Sequence, residues 1–307
     1  MKNESNRLLV FTFHGLFKSE EEMKLNHIDP QTNMTLDQFV RFIEYFLKNK
    51  YKFILPEELS SERNKNHPCA IITFDDGYYN NILAIEILNK YKIPGVFFIS
   101  TKNVLENISY WWDIIYKYRI KEGRTIDEIR NEQNNLKTLK QESIDLYILE
   151  NFGKESTTPW SDIDRPFTPD EIKHLSNNPL VSFGNHTHSH AILTNYNLEE
   201  IKAELKACNS ILQNLTGVIP TTIAYPNGNY NEVVIQASKE ENFKFGFNIA
   251  GKTNILPLDH GNFTCLNRYI TNTTEISRFG GFCRLDYKPQ ELYNHWVKRA
   301  RNIFGIY

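Results

Sequence analysis

Two short segments of the chain carry residues whose types and spacing could do chemistry. Asp75 and Asp76 are adjacent, and His186 and His190 are four residues apart. An aspartate and two histidines supply three ligands for a divalent metal ion and leave a coordination position open for water. Each segment also has a simpler explanation, since an Asp-Asp-Gly turn can cap a helix and a run of histidines can be solvated. The pair together predicts a catalytic metal centre.

The spacing of the histidines indicates which of them could bind the metal ion. His186 and His190 share one face if the chain enters a helical turn after its strand, whereas His188 would then point elsewhere. We therefore predict that His188 is not a ligand.

Both segments follow predicted strands, and such strands recur along the chain. Short apolar, β-branched or aromatic runs alternate with amphipathic helical patterns, which is typical of a parallel sheet covered by helices. About seven parallel strands in one chain predict an α/β fold, a distorted or incomplete (β/α) barrel with a helical insertion. The carboxyl ends of its strands would meet on one rim, so the two segments should be neighbours. The predicted strands are 8–13, 53–55, 70–74, 95–100, 181–183, 221–225, 243–249 and 265–270.

A long interval between two predicted strands indicates an insertion. About eighty residues separate 95–100 from 181–183, where a crossover between parallel strands needs far fewer. The polar composition of 121–152 favours a solvated helical excursion over a second domain. We therefore predict one barrel domain over 1–307, with a helical insertion at about 107–166.

The composition is that of a globular chain without affinity for polyanions. Its 307 residues are 40% hydrophobic, and 35 Lys and Arg against 37 Asp and Glu give a net charge of −2. This balance offers no positive field for a nucleic-acid backbone, so no nucleic-acid partner is expected. No apolar run approaches the roughly 20 residues of a membrane span, and 8–13 is too short for a signal peptide. A cytoplasmic protein without a transmembrane segment is expected.

The residues around both segments resemble the motifs of a known family. The Thr-Phe-Asp-Asp-Gly sequence that contains Asp75 and the His-Thr-x-x-His sequence that begins at His186 are similar to the first and second motifs of the polysaccharide deacetylases. This family is also called carbohydrate esterase family four or the NodB-homology fold. In it the second Asp and the two His hold a metal ion, usually zinc, and the first Asp is the catalytic base. The resemblance implies that Asp76, His186 and His190 bind one divalent metal ion and that Asp75 is the base.

A looser resemblance covers the Tyr-Pro-x-Gly sequence that begins at Tyr225, which is similar to the third motif of many bacterial members. The family's usual Arg is Ala224 here, and Asn227 stands where a Tyr is usual after the proline. In the family the backbone N–H of that residue faces the developing oxyanion, a role that Asn227 can keep. The Arg that steadies the catalytic Asp is missing. Arg268, at another predicted strand end, is the candidate substitute, and a salt bridge on the barrel rim is the alternative for it.

The family also uses a histidine as general acid, usually from a C-terminal Leu-x-His motif. Leu258-Asp-His260 matches that motif, but in a segment that is loop-like and precedes a strand. His14 ends the first predicted strand and resembles the strand-ending histidine of the biofilm poly-N-acetylglucosamine deacetylases, whose motif order is circularly permuted. Because His14 would share the rim with the other site residues, we predict it as the acid. The alternatives are His260 and a histidine that only caps a loop.

Four further residues are predicted to bind the substrate. Trp111 and Trp112 open the insertion beside Asp113, and indoles next to an acid suit the C–H faces and the hydroxyls of a sugar. Core packing is the alternative for this tryptophan pair. Tyr225 and Pro226 are predicted to contact the substrate from the third-motif turn.

The resemblance implies a metal-dependent hydrolase that removes the N-acetyl group of an amino sugar in a glycan or glycan precursor and releases acetate. The alternatives are an O-acetyl esterase and a catalytically weak sugar-binding relative, against which the intact Asp75 argues. The expected partner is an N-acetylated sugar or oligosaccharide, which could be lipid- or nucleotide-linked. The tail 292–304 mixes apolar and basic residues, and it could lie on a membrane surface or pack as the last barrel helix.

Overall fold

The computed structural model of the chain describes residues 6–29, 34–59, 67–258 and 262–271. Its strands are short, and they alternate with helices along most of the chain. The strands are β1 (Arg7–Phe13), β2 (Leu16–Phe17), β3 (Met34–Thr35), β4 (Lys52–Phe53), β5 (Cys69–Phe74), β6 (Gly95–Ile99), β7 (Val181–Asn185), β8 (Thr222–Ala224), β9 (Phe245–Phe247), β10 (Asn254–Ile255) and β11 (Tyr269–Ile270).

The helices begin at polar residues that satisfy their first backbone N–H groups. Thr35, Thr125, Thr168 and Asn197 each form a capping box with a Gln or Glu three residues later. These four boxes fix the starts of the second, sixth, eighth and ninth helices. The helices are α1 (Glu20–Met23), α2 (Leu36–Lys48), α3 (Ile82–Tyr91), α4 (Thr101–Glu106), α5 (Trp111–Lys121), α6 (Ile126–Leu136), α7 (Gln141–Phe152), α8 (Pro169–Leu175), α9 (Leu198–Thr216) and α10 (Glu232–Glu240).

Nine of the described strands form one curled sheet in the order β10-β1-β5-β6-β7-β8-β9, with β11 also paired to β1 and β4 to β5. Each described pair in this sheet is parallel except that of β1 with β10. Phe247 of β9 forms a parallel bridge with Leu266, and β11 just beyond it pairs with β1 at Phe11 and Tyr269. The segment around β11 thus links the last parallel strand back to the first. The predicted α/β fold, a distorted barrel of mostly parallel strands, is confirmed.

The central strands are apolar on both faces because both faces are covered. In β5, Ala70, Ile72 and Phe74 belong to a core that includes the phenylalanines of α2. Ile71 belongs to a second core that it shares with side chains of β1, β6, β8 and β9. Polar groups that directly follow β1, β5 and β7 therefore gather at the carboxyl rim of the sheet, above this second core.

The stretch between β6 and β7 forms helices α5, α6 and α7, which share a core of their own. The helical insertion predicted there is confirmed. At the beginning of the insertion, Tyr110 is buried in a cluster with Phe17 and Tyr78 from the rest of the chain. This region also contains a fully buried ion pair, with Lys117 Nζ at 2.7 Å from Asp164 Oδ2.

Two sequence predictions fall on parts of the chain outside the described residues. These are the alternative general acid His260 and the tail 292–304. Within the described residues, no helix combines the length and apolar character needed to span a membrane.

Candidate active site

β5 ends in a tight turn that carries two carboxylates on adjacent residues. Asp76 has a φ of 72° and Gly77 a φ of 94°. The positive φ at the second position favours glycine, and a Cβ there would also lie 2.9 Å from Ile99 Cδ1. The Asp76 carbonyl accepts a hydrogen bond from the Tyr110 hydroxyl at 2.6 Å. Tyr110, at the start of the insertion, thus fixes the left-handed backbone at Asp76. The side chains of Asp75 and Asp76 are both buried.

The loop after β7 brings two imidazoles onto Asp76. Nε2 of His186 and Nε2 of His190 each lie 3.3 Å from Asp76 Oδ1. The predicted helical turn between the two histidines is wrong, because Thr187 and His190 have φ angles of 63° and 56°. Instead, the Thr187 hydroxyl accepts a hydrogen bond from Ala191 N–H at 2.8 Å and keeps the loop compact. His186 and His190 meet at Asp76 as predicted, but through a loop in which Thr187 and His190 have a left-handed backbone.

The imidazole orientations separate His186 from His188. His186 Nδ1 lies 2.8 Å from the Ala224 carbonyl, which can only accept, so Nδ1 carries a proton and Nε2 is the nitrogen that faces Asp76. His188 Nδ1 lies 2.9 Å from Thr101 Oγ1. His188 is therefore engaged outside the cluster formed by Asp76 and the other two histidines.

Asp76, His186 and His190 could together hold one divalent metal ion. One ligand atom from each residue lies within 4.8 Å of the other two. Imidazole nitrogens and a carboxylate oxygen are donors suited to zinc and similar metals. His190 Nδ1 is buried and finds no hydrogen-bond partner among the described residues, so its orientation depends on packing and on its Nε2 partner. Donor chemistry, distances and burial all fit the metal.

The neighbouring carboxylate, Asp75, is bound by a buried arginine. Arg268 donates from its two terminal nitrogens to Asp75 Oδ1 at 2.6 Å and to Oδ2 at 2.7 Å. It also donates to Thr73 Oγ1 at 3.1 Å and to the Asn248 carbonyl at 3.0 Å. Such a bidentate, charge-assisted pair fixes both the charge and the orientation of the carboxylate. The structure thus places the arginine proposed from the sequence directly on Asp75.

These contacts keep both carboxylates ionised. Burial acts to raise the pKa of Asp75, but the Arg268 guanidinium and His186 outweigh it, so this pKa lies below its ordinary value. Burial likewise acts to raise the pKa of Asp76, and the hydrogen bonds from His186 and His190 hold it far below the ordinary value. At neutral pH Asp76 is therefore available to a cation and Asp75 is available to accept a proton.

His14 and Asn227 line the same pocket as Asp76 and His190. His14 directly follows β1, and its carbonyl accepts a hydrogen bond from Asn81 Nδ2 at 2.6 Å. Its Nδ1 is buried without a hydrogen-bond partner among the residues described. Asn227 is exposed and has a φ of 56° in the turn after β8. Residues that follow β1, β5, β7 and β8 therefore line one pocket.

Comparison with known proteins fits this arrangement. The family model described as polysaccharide deacetylase matches residues 62–246, which is more than half of the chain. The chain belongs to the polysaccharide deacetylase family. His14 and Arg268 both lie outside the matched span, which contains the other residues of the site.

The relatives compared here share little sequence identity with the chain. YxkH of Bacillus subtilis (strain 168), which carries a polysaccharide deacetylase description, is 21% identical over 214 residues, covering 68% of this chain and 56% of YxkH. A polysaccharide deacetylase structure from Bacillus cereus has a TM-score of 0.63 at 18% identity and covers 91% of this chain and 69% of its own. A de-N-acetylase from Aggregatibacter actinomycetemcomitans has a TM-score of 0.59 at 16% identity, covering 90% and 100%. At such identities the two structures show a shared fold.

In this family member the tyrosine of the third motif does not reach the pocket. Tyr225 is fully buried, and its hydroxyl donates to the Thr264 carbonyl at 2.8 Å. Pro226 is buried beside it. The predicted substrate contact of Tyr225 is therefore corrected, because its side chain anchors the turn that carries Asn227.

The two predicted tryptophans both line the pocket. The Trp112 ring packs on His190 with 4.5 Å between ring centroids, and its Nε1 donates to the Tyr78 hydroxyl at 2.9 Å. Trp111 is also part of the insertion core. The first helix of the insertion is thus one wall of the site, and the contact of this wall with a sugar stays a prediction.

Asp113, which the sequence places beside the sugar, is fully buried instead. Its carboxylate accepts hydrogen bonds from the Asp29 backbone N–H at 2.8 Å and from the Tyr78 hydroxyl at 2.5 Å. Burial raises the pKa of Asp113 well above its ordinary value. Asp113 therefore anchors Tyr78, which in turn holds Trp112 in the wall.

Three residues of the site escape sequence reasoning. Tyr110 binds the Asp76 carbonyl, Tyr78 binds Trp112, and Lys137 lines the pocket. The two tyrosines stand directly next to recognised sequences, and this adjacency is the signal that could have found them. Lys137 lies in a polar stretch of the insertion and carries no such signal.

Proposed function

We propose that the protein removes the N-acetyl group from an amino sugar in a glycan or glycan precursor and releases acetate. The observation that carries this proposal is the ionised Asp75, held by Arg268, directly beside the cluster of Asp76, His186 and His190. A carboxylate able to accept a proton next to a site for a divalent ion is what hydrolysis of an amide requires. Membership of the polysaccharide deacetylase family supports the carbohydrate substrate.

Asp76, His186 and His190 would hold the metal ion, which we propose to be zinc. When bound, such an ion polarises a carbonyl group and makes water more acidic. The hydrogen bond between His186 Nδ1 and the Ala224 carbonyl fixes one imidazole before any ion arrives. Trp112 packed on His190 does the same for the other imidazole.

The remaining residues of the proposed site handle protons and charge. Asp75 accepts the proton of the attacking water, and Arg268 keeps this carboxylate ionised and oriented until then. The backbone N–H of Asn227 stabilises the negative charge that develops on the acetamide oxygen. His14 donates a proton to the departing nitrogen, so that the amine leaves as a neutral group. The products are acetate and a sugar with a free amine.

An acetate-release assay tests this function. Metal-loaded protein is incubated with N-acetylhexosamine oligomers, N-acetylated sugar nucleotides and O-acetylated sugars, and free acetate is measured. We expect acetate from an N-acetylated sugar. Release from O-acetylated sugars alone would identify an esterase, and binding without any release would identify a sugar-binding relative.

We expect the purified protein to bind one divalent metal ion per chain, because the three donor atoms already lie within 4.8 Å of one another. His190→Ala should lose most of this metal, since it removes one of three ligands. Elemental analysis after dialysis measures the content. His188→Ala is the matched control and should retain the metal, because His188 is bound to Thr101 instead. Equal losses in both variants would contradict the ligand set.

His14→Ala is expected to lower turnover of an N-acetyl substrate by about 10²-fold, at the low end for loss of a general acid. Turnover of an O-acetyl ester should fall much less, because its better leaving group depends less on a proton donor. Steady-state kinetics on both substrates measure this difference, and metal content should not change. His260→Ala is the comparison variant. Equal losses on both substrates, or a larger selective loss in His260→Ala, would assign the acid to another residue.

A further inference from the structure

The pocket beside the proposed metal site contains two charged residues that the mechanism does not use. Asp29 and Lys137 line it together with His14, Asp76 and His190. Lys137 directly follows helix α6 of the insertion. A ligand that fills this pocket therefore lies between walls that include both Asp76 and Lys137.

The main chain at Lys137 is fixed relative to the site. Asn195 Nδ2 donates to the carbonyls of Lys137 and Leu139, both at 2.9 Å. Asn195 ends a short turn that follows His190 in the chain. These hydrogen bonds connect the end of α6 to the segment that follows His190. They therefore fix the backbone position of Lys137 beside the pocket.

The acidic neighbour of Lys137 is already neutralised. Arg130 donates two hydrogen bonds to the Asp29 carboxylate, and Gln133 Nε2 donates another at 2.7 Å. Lys137 itself is half-buried, and it forms no salt bridge with any residue that the structure describes. Burial lowers the pKa of its ammonium group, and the nearby Arg130 acts in the same direction. An anionic group on a bound ligand would stabilise the partly buried ammonium group of Lys137.

We propose that Lys137 binds a negatively charged group, a phosphate or a carboxylate, on the acetylated sugar that enters the pocket. This inference rests on the proposed function, because it takes the sugar to be the occupant. Asp29 is paired with Arg130, Asp75 with Arg268, and Asp76 with two histidines, whereas Lys137 forms no ion pair with any residue that the structure describes. A divalent ion at Asp76 makes the total positive. The pocket then favours an anionic sugar over a neutral one.

Binding calorimetry on the metal-loaded Asp75→Asn protein tests this proposal without turnover. The ligands are N-acetylglucosamine, its 1-phosphate and the corresponding uronic acid. Lys137→Met, added to this background, should weaken binding of an anionic sugar by roughly 10- to 100-fold and leave binding of the neutral sugar nearly unchanged. Lys137→Arg should restore much of the preference. The matched control is Lys140→Met, because Lys140 is paired with Glu200 at 2.5 Å and does not line the pocket.

The outcomes separate the two proposals. The anion whose binding depends more on Lys137 identifies the group as phosphate or carboxylate. No preference for an anionic sugar, equal weakening for all three ligands, or the same loss in Lys140→Met would overturn the role of Lys137. Because binding is measured without turnover, a failure to release acetate from any sugar would count against the proposed function alone.

Discussion

Replacing Asp75 by asparagine is expected to lower acetate release by roughly 10² to 10⁴-fold, the range typical of a lost general base. Asparagine fills nearly the same volume but cannot accept a proton from water. The proposed metal ligands Asp76, His186 and His190 are unchanged, so metal content should stay close to one per chain. Steady-state turnover and elemental analysis of the same preparation measure both quantities.

The control for this prediction must separate lost chemistry from lost stability. Asp75→Asn leaves the buried Arg268 without a carboxylate, which is destabilising by itself. Asp164→Asn makes the same change at the fully buried pair with Lys117, whose partner atoms are 2.7 Å apart and which lies outside the pocket. Both variants should melt at lower temperature, and only Asp75→Asn should lose turnover selectively. Near-normal acetate release by Asp75→Asn would make Asp75 structural.

Removing the Arg268 side chain should impair stability and turnover together. Arg268→Met leaves the Asp75 carboxylate buried without its counter-ion, at a cost of about 3–5 kcal/mol in the free energy of unfolding. Burial then favours the protonated carboxyl, which cannot serve as a base. Arg268→Lys keeps the positive charge but loses the bidentate geometry, so its turnover should lie between Arg268→Met and the parent. Urea unfolding and kcat of the metal-loaded variants test these expectations.

Arg165→Met is the matched control for Arg268. Arg165 also makes a bidentate pair, with its terminal nitrogens 2.9 Å and 2.8 Å from the two Glu171 oxygens, but away from the pocket. Its removal should cost some stability and leave turnover unchanged. If Arg268→Met also kept its turnover, Arg268 would be no more than a salt bridge on the barrel rim.

The clustering of Asp76, His186 and His190 could be predicted from the sequence because its signals are local. Asp75 and Asp76 are adjacent, the two histidines are four residues apart, and both groups follow predicted strands. Parallel strands bring their carboxyl ends to one rim, and the same rule singled out Arg268. This rule predicts which residues share the rim. It does not predict that Arg268 pairs with Asp75. That contact depends on how the segment around β11 packs between β9 and β1.

The contribution of the insertion could not be predicted, because it depends on tertiary packing. Asp113 next to two tryptophans suggests a sugar contact, yet the packing of α5 buries it against Tyr78. Lys137 is one of many polar residues in its stretch, and only the fold brings it to the pocket. The positive φ angles of Thr187 and His190 likewise oppose the intrinsic preference of these residue types and are imposed by the contacts of the loop.

The pairing of Asp75 with Arg268 also makes the proposed site depend on two distant parts of the chain. The two residues are 193 positions apart in the chain. Contacts across such separations carry a large loop-closure entropy and tend to form late in folding. A chain that has emerged beyond β5 but not as far as the segment around β11 cannot yet pair Asp75 with Arg268. The proposed base is therefore completed only when the segment around β11 returns to β1.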